Sequence, residues 1–143
     1  MAAEMLRAAI LAFALAAPAW AGCPPEQAGA GFHQDGPRES SGVESETLVS
    51  YDLAPHYGIA ARGFRIRRLT VAPGGVIGLH EHSTRPGGGY VASGTMTEYR
   101  DSCAVGLVYA AGAAVSENAP LSHWWRNEGG APAVVIVFDL PPH

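Results

Sequence analysis

Gly74-Gly75-Val76-Ile77-Gly78-Leu79-His80-Glu81-His82 is the stretch on which the fold and the chemistry of this chain both turn. Two histidines one residue apart project from the same face of a β-strand, because strand side chains alternate with a period of two. Glu81, between them, should point to the opposite face, which excludes it as a first ligand. Imidazole is a ligand for iron, manganese, zinc, nickel and copper. A further histidine, His123, stands well downstream. A glycine-framed His-x-His joined by a later histidine on another strand is a way for a small β-barrel to build a metal site.

Outward from that stretch the chain reads as short strands separated by turns. Phe64 to Val71 is the clearest strand. Phe64 and Ile66 share one parity and Leu69 and Val71 the other, so a β-bulge is expected at Arg67-Arg68. Arg62, Arg65, Arg67 and Arg68 form a basic stripe, read as a solvated strand face. Pro73-Gly74-Gly75 turns the chain into a second strand, Val76 to His82. Tyr90 to Gly94, Thr95 to Arg100, Ala104 to Tyr109, Ala113 to Ser116, Ser122 to Arg126 and Val134 to Phe138 continue the series. Upstream, Thr47 to Leu53 is β-branched and aromatic enough for an edge strand, and Pro55-His56-Tyr57-Gly58 is a turn. The fold class is therefore all-β, a sandwich or barrel, with no internal repeat.

The N-terminal part has a different character. Arg7 precedes an apolar run, Ala8 to Ala17, too short to span a bilayer, and Ala19-Trp20-Ala21 fits small-x-small cleavage. Residues 1–21 are expected to be a signal peptide cut near Ala21, giving a periplasmic or secreted protein. Residues 22–44, rich in Gly, Pro, Ser and Gln, read as a flexible leader in which His33 is solvated. The folded domain is expected over residues 45–143. Cys23 offers a lipoprotein route as the weaker alternative, because Trp20 stands where an aliphatic residue belongs. A Cys23–Cys103 disulfide and a buried Cys103 beside an unpaired Cys23 are both open readings.

Composition bounds the function. The 143 residues make one domain by length. A net charge of −4 argues against nucleic acid and anionic membranes as partners. All nine basic residues are arginines, which excludes Schiff-base chemistry, a P-loop and a lysine base. Neither a Gly-x-Ser-x-Gly elbow nor a Cys-x-x-Cys pair is present, and no transmembrane segment is expected.

Two spaced blocks carry a family resemblance. Gly74, five residues, His80, one residue, His82 and then Gly94 is similar to the first cupin motif. Gly112, five residues, Asn118-Ala119-Pro120-Leu121-Ser122-His123 and three more to Asn127 is similar to the second. The resemblance implies a cupin-type jelly-roll β-barrel with a divalent transition metal inside, bound by His80, His82 and His123. The family pattern also has a Glu ligand where this chain has Gly87, and a Pro-x-Gly where it has Asn118-Ala119-Pro120. Three ligands with an open remainder is a catalytic arrangement, as in the three-histidine cupins. Glu98 is a candidate supplementary carboxylate. Alternation from His123 puts Trp125 and Asn127 on the ligand face. Trp125 is a candidate pocket wall, Tyr90 and Tyr99 candidate phenols, and Arg85 a candidate partner for a substrate carboxylate. The functional expectation is an exported small protein that binds a divalent transition metal through three histidines, with a metal-dependent enzyme, oxygenase-like or isomerase-like and acting on a small molecule, as one open reading. The alternative is a non-catalytic module that binds a small ligand or the metal. Cupin barrels commonly pair, so a homodimer through the strand around Thr47 to Leu53 is also expected.

Overall fold

The computed structural model describes residues 22–142; the expected signal peptide and its cleavage position lie outside the described residues. Eight antiparallel strands form a nearly closed barrel: β1 (Ser41–Asp52), β2 (Gly63–Glu81), β3 (Gly87–Ser93), β4 (Thr95–Arg100), β5 (Leu107–Ala110), β6 (Ala114–Glu117), β7 (Ser122–Arg126) and β8 (Ala133–Asp139). Their order is β5-β4-β7-β2-β8-β3-β6, with β1 laid along β2. One turn of helix, Ala54–Tyr57, joins β1 to β2 and ends on Gly58 in the left-handed conformation. Among the described residues no helix is long and apolar enough to cross a membrane.

The long β2 strand shapes the barrel. Its first half pairs with β8, from Arg65↔Asp139 to Val71↔Ala133, and its second half pairs with β7, from Val76↔Arg126 to Glu81↔Ser122. One strand therefore belongs to both walls, and Pro73-Gly74-Gly75, expected as a turn between two strands, is part of it. The β2–β8 register runs without a shift, so the bulge expected at Arg67-Arg68 is absent there. The irregularity lies in β1, where Thr47 faces Arg67 and Val49 faces Ile66. The apparent change of parity has another cause. Arg65, Arg67, Leu69 and Val71 share the face that meets Asp139 and the core, and that face passes from charged to apolar as it enters the barrel.

Leu69, Val71, Val91, Met96, Leu107, Trp125, Val135 and Val137 fill the interior at the inward positions of their strands. Each such side chain contributes roughly 1.5–3 kcal/mol by leaving water.

The segment expected as a flexible leader is pinned instead. Cys23 and Cys103 form a disulfide across a sequence separation of 80, stabilising the fold by about 2–4 kcal/mol. Gly29 N–H donates to the Ser102 carbonyl and Phe32 N–H to that of Asp101, both at 3.1 Å. Further on, Leu79 N–H donates to the Pro37 carbonyl at 2.6 Å and Gly78 N–H to Ser40 Oγ at 3.0 Å. Gly78 is what permits this closeness, since a Cβ there would lie 2.5 Å from the Arg38 carbonyl oxygen. His33 is accordingly not solvated: it is half-buried, edge-on to Tyr99 with ring centroids 5.2 Å apart.

Candidate metal centre

The β2–β7 register puts His80 directly opposite His123, and His82 follows one residue past the end of β2. Their ligand atoms lie within 4.8 Å of one another. His123 Nε2 is 3.1 Å from both His82 Nε2 and His80 Nε2.

The other ring nitrogens decide what those contacts are. His80 Nδ1 lies 2.8 Å from the Gly78 carbonyl oxygen, His82 Nδ1 lies 2.8 Å from the Arg85 carbonyl oxygen, and His123 Nδ1 lies 2.6 Å from Glu98 Oε1. Carbonyl and carboxylate oxygens only accept, so the network assigns the proton of each ring to Nδ1. In its neutral form each ring therefore presents a lone pair on Nε2, and neutral rings cannot donate to one another through these atoms. Three lone pairs meeting at such distances are what a metal cation requires, and orientation of each ring through its distal nitrogen is the usual support for that role. Burial, then the neighbouring His123, pulls His80 down to about 4; burial also lowers His82. Both are neutral at pH 7 and free to ligate.

Behind His123 lies a closed network. Glu98 is fully buried and accepts from His123 Nδ1 with one oxygen. Its other oxygen accepts from Arg100 Nε at 3.0 Å and from the Tyr109 hydroxyl at 2.9 Å. Burial works to raise this carboxyl, but the His123 hydrogen bond and the Arg100 charge hold it below the ordinary range. Glu98 is thus an ionised carboxylate that orients the His123 ring, and not the supplementary ligand for which it was a candidate.

In front of the histidines is a cavity of about 270 Å³, small beside the 300–1,000 Å³ typical of ligand sites. Its wall includes Arg38, Arg67, Arg85, Glu117, Trp125 and Asp139. Asp139 is gripped by Arg65, Nε to Oδ1 at 3.0 Å and Nη2 to Oδ2 at 2.7 Å. Arg85 Nη1 and Arg67 Nη2 stand farther from the same carboxylate, at 3.4 Å and 3.6 Å from Oδ2. Arg67 Nε is buried and makes no hydrogen bond among the described residues. With Arg65 already satisfying Asp139, the cavity wall carries more cation than anion.

The candidate residues divide cleanly. Trp125 is a wall, edge-on to His123 with centroids 5.7 Å apart. Arg85 is at the cavity, its backbone carbonyl holding His82 in place. Glu81 faces away, as expected: it is exposed and accepts from Ser83 Oγ. Tyr90 lies on the outer face of β3, 44% exposed, and is no part of the site. Tyr99 is outside too, stacked on Trp124 and donating to Glu128. Asn127 is buried but structural: Nδ2 donates to the Val71 and Ala131 carbonyls and Oδ1 accepts from Gly129 N–H. The basic stripe also splits, because Arg68 is solvated as expected whereas Arg65 and Arg67 turn toward Asp139 at the cavity. Glu117, Asp139, Arg38 and Arg67 are site residues that the sequence did not announce. An alternation count carried from Leu69 and Val71 back to Arg67 was the one available signal.

The model of a family described as "Cupin domain" matches residues 67–139. No curated protein sequence matches the chain. Among solved structures, the chain is similar to a predicted oxalate decarboxylase from Thermotoga maritima, at 17% identity and TM-score 0.59, over 84% of this chain and 98% of that one. It is similar to a sugar phosphate isomerase of the cupin superfamily from Silicibacter pomeroyi, at 18% and 0.53, over 71% and 68%. A protein from Thermus thermophilus, TT1209, matches at 19% and 0.54, over 69% and 83%. At these identities the likeness is one of fold.

Proposed function

This chain belongs to the cupin family, and on that premise we propose that it is a metal-dependent enzyme that acts on a small carboxylate-bearing molecule. His80, His82 and His123 hold a divalent transition metal (iron, manganese, zinc, nickel or copper), and the observation that carries this is the meeting of three Nε2 lone pairs whose distal nitrogens are all committed as donors. When bound, such a metal supplies Lewis-acid or redox chemistry.

The chain's own residues do the rest. Glu98 fixes the His123 ring and keeps its proton on Nδ1. Trp125 covers one side and limits water. Arg67 and Arg85 attract and orient an anion, a task suited to the planar guanidinium fork. The cavity volume restricts the ligand to a small molecule.

The Cys23–Cys103 disulfide supports export to an oxidising compartment, and it favours plain secretion over lipidation because a bridged thiol cannot carry a lipid. Leu48, Val49 and Tyr51, exposed on β1, support that strand as the contact of a homodimer.

Metal analysis of the secreted protein, followed by calorimetric titration with malonate and with its neutral diamide, tests the reading. About one metal per chain and malonate binding without diamide binding are expected, with malonate affinity falling at least tenfold in Arg67→Met. Metal-free protein, or equal binding of acid and diamide, overturns it. Oxygen-uptake and turnover screens on the metal-loaded protein then separate an enzyme from a passive binder.

A further inference from the structure

Glu117 ends β6 and is one of the few carboxylates buried in this molecule, its side chain 7% exposed. It makes no hydrogen bond and pairs with no arginine among the described residues. Two of the ligand nitrogens lie close to it: Oε2 is 3.7 Å from His82 Nε2 and Oε1 is 3.9 Å from His123 Nε2. A buried carboxylate normally recovers its lost hydration through several donors, as Glu98 does nearby. Glu117 instead faces two imidazole nitrogens, on rings whose Nδ1 atoms are already engaged with the Arg85 carbonyl and with Glu98. The Glu117 carboxylate thus stands beside two of the three clustered ligand nitrogens, those of His82 and His123, and has no donor of its own among the described residues.

We propose that Glu117 is a fourth, anionic ligand of the metal held by His80, His82 and His123. The inference rests on the metal-site reading above and adds a residue to it. The fold explains why the carboxylate comes from β6. Gly87 of β3 pairs with Glu117 across the β3–β6 ladder, so the two positions share one level of the barrel wall. A side chain at 87 is blocked, since a Cβ there would lie 2.4 Å from the Phe138 carbonyl oxygen. Glu117 reaches the same level from the neighbouring strand, with its carboxylate turned to the histidines. Three neutral imidazoles and one carboxylate leave a divalent cation with net charge +1, which together with Arg67 and Arg85 draws an anionic ligand to the remaining positions.

Cobalt(II) titration of the full chain, followed by its visible ligand-field absorption, is the test. Wild type takes up one Co²⁺ per chain. Glu117→Gln keeps the shape of the side chain and removes the charge; it should keep the stoichiometry, lose at least tenfold in affinity and change the absorption envelope. Glu117→Met is the companion variant, expected to do the same, and circular dichroism verifies that each folds. A Glu117→Gln or Glu117→Met protein with wild-type affinity and spectrum overturns the assignment and leaves the three-histidine site standing. Wild-type protein that takes up no Co²⁺ overturns both.

Discussion

The two flanks of His123 are equally buried and chemically opposite. On one side Glu98 has every oxygen occupied, by His123, Arg100 and Tyr109. On the other, Glu117 has no donor and Arg67 Nε has no acceptor among the described residues. Desolvation costs both flanks, but only the first recovers that cost within the chain. A polar cluster that satisfies itself holds shape, whereas one that does not is built around something else.

Removing charge from the satisfied flank should therefore cost most. Glu98→Gln strands Arg100 and loosens His123, and about 2–4 kcal/mol of stability should be lost in urea denaturation of metal-free protein, short of the fully buried limit because Arg100 keeps some solvent. A loss below about 0.5 kcal/mol would erase the distinction between the flanks.

Acid sharpens the comparison by a smaller amount. His80 is held at about 4 against an ordinary 6.5, so the unfolded chain binds the proton more readily than the native one. Stability from this group is present above pH 6.5 and drains away as pH falls toward 4. The difference between wild type and His80→Ala, followed by thermal melts of metal-free protein from pH 7.5 to 4.5, should shrink on acidification. A constant difference would contradict the placement of His80.

The smallest effect belongs to the open flank. Without metal, Glu117→Gln exchanges a desolvated charge for a neutral amide, so the melting temperature should stay the same or rise. A fall comparable with that of Glu98→Gln would mean that Glu117 is structurally paired after all.

The barrel was legible because its signals are local. Thr95–Arg100 and Ser122–Arg126 are strands with the bounds that alternation and turn residues indicate. The histidines were legible because a period of two fixes their shared face. Tyr90 was placed wrongly because it follows Gly87-Gly88-Gly89, three residues with no side chains to register the phase of β3. Glu117 was hidden for another reason: its level in the barrel depends on the β3–β6 ladder, a pairing between distant segments that alternation cannot supply. Asp139 and Arg67 depend in the same way on β2 meeting β8.

The cavity wall also has an unequal ancestry in the chain. Every histidine of the site falls within residues 67–139, but Arg38 and Ser40 come from the cross-linked segment ahead of it. On the proposed reading, metal retention and ligand choice can consequently be edited apart. Exchanging the stretch around residues 37–40 redraws the mouth of the cavity while the imidazoles stay where they are.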